Sequence, residues 1–143
     1  MEAYGMAGHL IRRLHQISTQ VFMRQVQAAG FDLTPVQFAA MDAIRANPGI
    51  DQAGVATLIA YDRATIGGVI DRLVQKDWVA RVVSRRDRRA RELSLTGEGS
   101  RVFEVILPVV RDVQDDILSD LGDASRGTFL EAARRIVEGR ASD

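Results

Sequence analysis

Residues Arg85–Thr96, R-R-D-R-R-A-R-E-L-S-L-T, constrain this chain more than any other stretch. Six of the first seven are charged, and five of those are arginine. The flanking segments alternate, V-A-R-V-V before the run and E-L-S-L-T after it. A period of two belongs to short strands, so the run is read as the tip of a hairpin between Trp78–Ser84 and Glu92–Thr96. The hairpin follows directly on a helix that begins D-R-A-T-I-G-G-V-I-D-R-L.

The elements upstream are marked by their caps. Leu10, Leu14, Ile17 and Val21 recur at helical spacing, predicting one long helix over Tyr4–Ala29 that Gly30 closes. Thr34-Pro35 offers an N-cap followed by proline at the first helical position. The helix it opens carries Val36, Phe38 or Ala39, Met41 and Ile44, and stops at Asn47-Pro48-Gly49. Asp51 can cap a short helix over Gln52–Ile59 with Val55, Leu58 and Ile59 inward, and Asp62 the next, Arg63–Lys76. Two short helices joined by such a turn form a helix-turn-helix. Thr96 caps a long helix from Gly97 to about Leu121, striped by Val102, Ile106, Val109, Val113 and Ile117, which Pro108 should kink or locally break. After a turn over Gly122–Ser125, a last helix runs from Ser125 to about Gly139 with Phe129, Ala133, Ile136 and Val137 inward. The expected fold is therefore mainly α with a small β-hairpin: a winged helix-turn-helix plus terminal helices. The terminal helices are too long and too apolar on one side for a three-helix domain to cover. At roughly 25 cal/mol per Å² of exposed apolar surface, they call for a second copy of the chain. Residues 34–96 form the expected winged lobe, and 1–33 with 97–143 a helical dimerisation lobe, within one intertwined domain.

Net charge is zero, but it is unevenly distributed. Residues 63–91 hold nine basic side chains against three acidic, whereas 112–143 hold eight acidic against four basic. Such polarity suits a protein that shows one face to a polyanion. Lys76 is the sole lysine; arginine supplies planar, forked donors for phosphates and guanine edges, although a genomic bias toward arginine would give the same ratio. The chain has no cysteine, which excludes disulfides and thiolate metal sites. It has no P-loop, no G-x-S-x-G and no metal-spaced histidine cluster, so an enzyme is not expected. His9 and His15, six apart, do not share a helical face, and neither metal nor cofactor is implied. No apolar run reaches membrane-spanning length and no secretory signal is visible, pointing to the cytoplasm.

Taken in order, the T-P-x-Q-F-A helix, the D-R-A-T-I-G-G-V-I-D-R-L helix, W-V-A-R, and the wing D-R-R-A-R-E-L-S-L-T closely resemble the MarR family of bacterial transcription regulators. The resemblance covers nearly the whole chain and is specific over Leu33–Thr96. It implies a homodimer on double-stranded DNA at an inverted repeat, acting as a repressor whose grip a small aromatic ligand alters. The absence of cysteine argues against the peroxide-sensing branch of that family.

The candidate DNA-binding residues are Arg63, Thr65, Gly67, Gly68 and Arg72 on the recognition helix, and Arg85, Arg86, Asp87, Arg88 and Arg89 on the wing. Arg63, Thr65 and Arg72 can offer donors to phosphates or base edges, while Arg72 could instead pair with Asp71 or Asp77. Gly67-Gly68 departs from the family's usual polar side chains, and reads either as close backbone approach to the groove or as weak packing with no DNA role. Arginines on a hairpin tip suit the narrow, electronegative minor groove of A/T-rich DNA. The resemblance implies that Asp87 braces a tip arginine while Arg88 and Arg89 enter the groove.

It also implies a ligand pocket between the two lobes, lined by the first, second and fifth helices. Candidates are Arg12, His15, Ser18 and Phe22 on the first helix, with Phe38, Met41 and Arg45 on the second. Imidazole or guanidinium groups beside aromatic and sulfur side chains would suit an aromatic carboxylate. Each of these also reads as plain core or surface. The competing function is a constitutive, architectural DNA-binding protein that senses no small molecule.

Overall fold

The caps read from the sequence are built as caps. In the computed structural model, which describes residues 1–140, Thr34 accepts the N–H of Gln37 at 3.2 Å while the Gln37 side chain accepts the N–H of Thr34 at 3.1 Å. This reciprocal box, with Pro35 at the first position, starts α2 (Pro35–Ala46). It follows α1 (Ala7–Ala28), which ends where Gly30 takes φ +91°. Asp51 accepts from the Gly54 N–H at 2.7 Å and opens α3 (Gln52–Leu58). Then come α4 (Ile66–Gln75), β1 (Val79–Val83), β2 (Arg91–Leu95), α5 (Gly97–Ile117) and α6 (Asp123–Arg140). Thr96 caps α5, accepting the Gly99 N–H at 2.9 Å and donating its own hydroxyl to the Asp77 carbonyl at 2.6 Å.

The two strands pair antiparallel, from Val79 opposite Leu95 to Val83 opposite Arg91. A third segment joins them: the Gly49 N–H donates to the Leu93 carbonyl and the Leu93 N–H to the Ile50 carbonyl, each at 2.8 Å. The α2–α3 turn thus tethers the hairpin to the helices. One core runs through the chain, from Val21, Phe22 and Val26 of α1 through Leu33, Met41, Ile44, Val55, Ile66, Ile70 and Leu73 to Phe103, Ile106 and Val113 of α5.

Several expectations are corrected. The first helix does not start at Tyr4: Glu2–Gly5 form a separate 3-10 turn, and Met6 is extended before α1 begins. The recognition helix starts at Ile66 rather than Arg63. The Asp62 carboxylate takes the Ala64 N–H at 3.0 Å and its carbonyl takes those of Thr65 and Ile66, a local turn that competes with helix and leaves Asp62 without a capping role. Leu58 faces outward at 58% exposure. The stripe of α5 keeps Val102, Ile106 and Val113, all buried, but widens to take in the buried Phe103 and Val110, while Val109 and Ile117 are only half-buried. The helix continues unbroken through the exposed Pro108 and ends at Ile117, four residues early, while α6 begins at Asp123 instead of Ser125. Ile136 and Val137, expected inward, are 62% and 68% exposed. Leu10, Leu14 and Ile17 are likewise exposed on α1.

The tightest joint lies where β1 meets α5. A Cβ on Gly99 would stand 1.9 Å from the Trp78 carbonyl oxygen, a backbone atom that also accepts the Thr96 N–H at 3.0 Å. Gly99→Ala is expected to destabilise the protein by about 3 kcal/mol. Gly97→Ala, where a Cβ would meet nothing within 4 Å, is expected to leave the denaturation midpoint unchanged or slightly raised. Urea titrations of the pair check this; equal midpoints would refute it.

Candidate nucleic-acid interface

The wing tip is a braced loop. The hydroxyl of Ser84, a buried residue, accepts the N–H groups of Arg86 and Asp87 at 3.2 and 3.3 Å. The Asp87 carboxylate accepts the Arg89 N–H at 2.9 Å, and its carbonyl accepts the Ala90 N–H at 3.0 Å. Asp87 therefore braces Arg89 of the tip through its main chain, and no guanidinium pairs with it among the described residues. A carboxylate left free of ion pairing here still orders the loop, because a two-residue Asx turn needs only the backbone.

Nine basic side chains lie between residues 63 and 91, and they divide cleanly. Three are engaged within the molecule. Arg81 on β1 donates to Asp71 of α4 at 2.8 Å and to Gln52 of α3 at 2.9 Å. Arg91 donates to the Arg88 carbonyl at 3.0 Å. The Lys76 ammonium donates to the Asp32 carbonyl and lies 4.8 Å from the centre of the Trp78 ring. The other six, Arg63, Arg72, Arg85, Arg86, Arg88 and Arg89, are exposed and make no ion pair among the described residues. These six are the basic residues singled out from sequence. The Arg72–Asp71 and Arg72–Asp77 pairs do not form; Asp71 is held by Arg81, a partner the spacing along α4 could not indicate because it sits on the next element.

Arg63 and Thr65 fall in the turn before α4, the Thr65 hydroxyl donating to the Asp62 carbonyl at 3.2 Å. Ile66, Ile70 and Leu73 are buried and Val69 half-buried, so the opposite side of α4 faces solvent. Gly68 lies on that open side with nothing within 4 Å of a Cβ, and at Gly67 only the Gln52 amide would come as near as 3.7 Å. Internal packing therefore does not require either glycine. The first turn of α4 presents bare backbone beside free arginines.

The seven candidate ligand residues do not form one site. Phe22 packs near Phe38 (ring centres 6.4 Å apart), and Phe38 stacks on the buried Phe103 at 5.3 Å with the planes 6° apart. The Arg45 guanidinium covers Phe103 at 4.6 Å while bonding Asp42 at 2.9 Å. Met41 is fully buried behind them. His15 and Ser18 lie elsewhere, lining an apolar trough of about 890 Å³ between α1, the end of α5 and α6. Arg12 is exposed beside His9, its Nη2 3.3 Å from the imidazole Nδ1. A smaller cleft of about 430 Å³ opens between α2 and α3, lined by Phe38, Asp42, Ala46, Leu58 and Ile59. Phe103 went unnoticed in the sequence because the α5 stripe was drawn through Val102, one residue before it.

Residues 31–90 match the family model described as MarR family. The transcriptional repressor NicR of Pseudomonas putida is 30% identical over 131 residues, spanning 92% of this chain and 82% of the relative. Among solved structures, BpsR of Bordetella bronchiseptica, whose DNA binding is regulated by 6-hydroxynicotinic acid, superposes with a TM-score of 0.85 at 27% identity, covering 93% of this chain and 94% of that one. The repressor CouR bound to a 23-mer DNA duplex superposes at 0.86 with 26% identity, covering 95% of each chain. Among the described residues no helix is long and apolar enough to cross a membrane.

Proposed function

This chain belongs to the MarR family of transcriptional regulators, and we propose that it is a repressor that grips an inverted-repeat operator as a homodimer and releases it when a small aromatic acid binds. The observation that carries the DNA-binding part is the set of unpaired guanidinium groups on a braced hairpin tip beside the open face of α4. In this reading α4 enters the major groove, where Arg63, Thr65 and Arg72 meet phosphates and base edges. Arg88 and Arg89 enter the minor groove, with Arg85 and Arg86 on the flanking backbone. Gly67-Gly68 lets the helix approach closely but reads few bases, so groove shape carries much of the preference. In vitro selection from a random-core duplex library is expected to enrich an inverted repeat. On the selected duplex, Arg89→Ala is expected to weaken binding about tenfold and lower the slope of log affinity against log salt by about one, with thermal unfolding unchanged. A pool without symmetry, or wild-type affinity in the variant, rejects the reading.

The homodimer is supported by the apolar faces that one copy leaves open. Ile11 and Leu14 on α1, with Ile136 and Val137 on α6, are exposed along the trough, and Leu10 and Ile17 of α1 are exposed as well. A second copy offers the same helices in return, as a two-fold interface requires. Ile136→Glu places a charge in that face and is expected to shift the sedimentation coefficient from dimer to monomer. A variant that sediments as the wild-type protein does would count against this interface.

The aromatic acid is supported by the Phe22–Phe38–Phe103 wall with the Arg45 cation at its edge, and by the effector of BpsR, a pyridine carboxylate. A panel of hydroxybenzoic and pyridinecarboxylic acids is expected to contain one that releases the selected duplex at micromolar to millimolar concentration, a release that Arg45→Ala impairs. Silence across the panel would favour the constitutive, ligand-free regulator. No cofactor and no catalytic step enters this account.

A further inference from the structure

The geometry points to Lys76 as a positioning residue for DNA binding: without touching DNA, it sets the pose of α4 and of the wing root against the α1–α2 corner. This rests on the DNA-binding reading above and deepens it. Lys76 is the only lysine in the chain, where every other basic side chain apart from the two histidines is arginine. It belongs to the basic stretch, yet its side chain is only 21% exposed. Its ammonium donates to the Asp32 carbonyl in the α1–α2 loop, and lies 3.8 Å from the Asp32 carboxylate and 3.5 Å from the side-chain oxygen of Gln37. That oxygen also closes the cap of α2. On its other side the ammonium faces the ring of Trp78, the first residue after the α4–β1 turn.

A carbonyl, an amide oxygen, a carboxylate and a ring face surround one cationic centre. A compact ammonium with three rotatable donors can serve them together, whereas a planar guanidinium fork can align with only part of the set. A bias toward arginine explains why eighteen positions carry it; it gives no reason for the one exception to sit here.

The position has leverage. Lys76 ends α4, and Asp77, at φ +61°, turns the chain sharply into β1. The helix spans ten residues, about 15 Å, so a tilt of roughly 5° at its C-terminal end moves Arg63 and Thr65 by about 1.3 Å. Hydrogen bonds and phosphate contacts have little tolerance for a shift of that size. Arg81 holds the middle of the helix through Asp71, and Lys76 holds its end.

The experiment compares Lys76→Met, which keeps the aliphatic stem, and Lys76→Arg with the wild-type protein on the duplex the wild type selects. Lys76→Met is expected to bind about tenfold more weakly, as loss of charge-assisted bonds implies, with the slope of log affinity against log salt unchanged because no phosphate contact is lost. Lys76→Arg is expected to recover part of that loss. Without DNA, the emission of Trp78, the only tryptophan, is expected to shift in Lys76→Met, and amide exchange to rise in α4 and β1 while α5 stays at the wild-type level. Wild-type affinity in Lys76→Met overturns the inference. So does a slope lower by about one, which would make Lys76 a phosphate ligand, and so does exchange raised equally through α5, which would make it a general prop of the core. Should Lys76→Met fail to fold, Lys76→Arg carries the same comparison, with an expected loss of about threefold and the same overturning outcomes. A wild-type protein that selects no duplex rejects the DNA-binding reading itself, a result distinct from all of these.

Discussion

The Trp78 carbonyl stands 1.9 Å from where a Cβ on residue 99 would be. Glycine at that position lets the first turn of α5 lie directly on the root of the wing, and the Thr96 N–H and hydroxyl then bond the Trp78 and Asp77 carbonyls. Four elements meet there: the end of α4, both strands and the start of α5. Backbone-to-backbone contact is stiffer than contact through side chains, because neither partner has a rotamer to change. The angle between recognition helix and wing is therefore set by main chain, with Lys76 bracing it from outside.

The distribution of partners among the basic residues follows from that frame. Arg81, Arg91 and Lys76 sit on or next to the strands and the end of α4, within reach of acceptors that the folding of neighbouring elements supplies. The tip arginines flank one acidic group, Asp87, whose carboxylate is bonded to main chain, and they form no ion pair among the described residues. Exposed guanidinium groups near one another repel, and the cost is small in water and salt; they become favourable only when a polyanion is brought in. The acidic surplus lies far along the sequence, at Asp112, Asp115, Asp116, Asp120 and Asp123 around the end of α5 and the turn into α6, and Arg126 is already bonded to Asp115 at 2.7 Å.

Local chemistry was the legible part of the sequence. Thr34-Pro35, Asp51, Thr96 and Gly30 act within four residues of themselves, so their effect could be read without knowing the fold. The six free arginines were legible for a related reason: a side chain with no partner needs no tertiary knowledge. What failed needed it. Asp62 looks like a cap, but its carboxylate is taken by Ala64 two residues on, and Gly67-Gly68 just beyond weakens the first turn it would have opened. Leu58 has an apolar side chain at a helical position, yet α3 is only seven residues long and buries little beyond Val55 and Ala56. Val102 is buried as its spacing suggests, but Phe103 and Val110, each a rotation of about 100° further round α5, are buried too. The stacking of Phe103 on Phe38 of α2 is a tertiary contact that spacing along one helix does not reveal. Asp71 finds Arg81 ten residues away because a turn intervenes.

The two open features of α4 and the wing bear on each other. A recognition helix whose exposed first turn carries glycines has little to distinguish one base edge from another, but its backbone can come close to a groove of the right width. Hairpin arginines respond to the same property, because a narrow minor groove concentrates negative potential. In the proposed mode of binding both elements report DNA shape rather than base identity, at two places whose spacing is fixed by the Trp78–Gly99 joint. A duplex satisfies both only if its major and minor grooves have the correct relative geometry over that spacing. Discrimination can thus arise from the rigidity of the joint, even though few side chains are available to read the bases one by one.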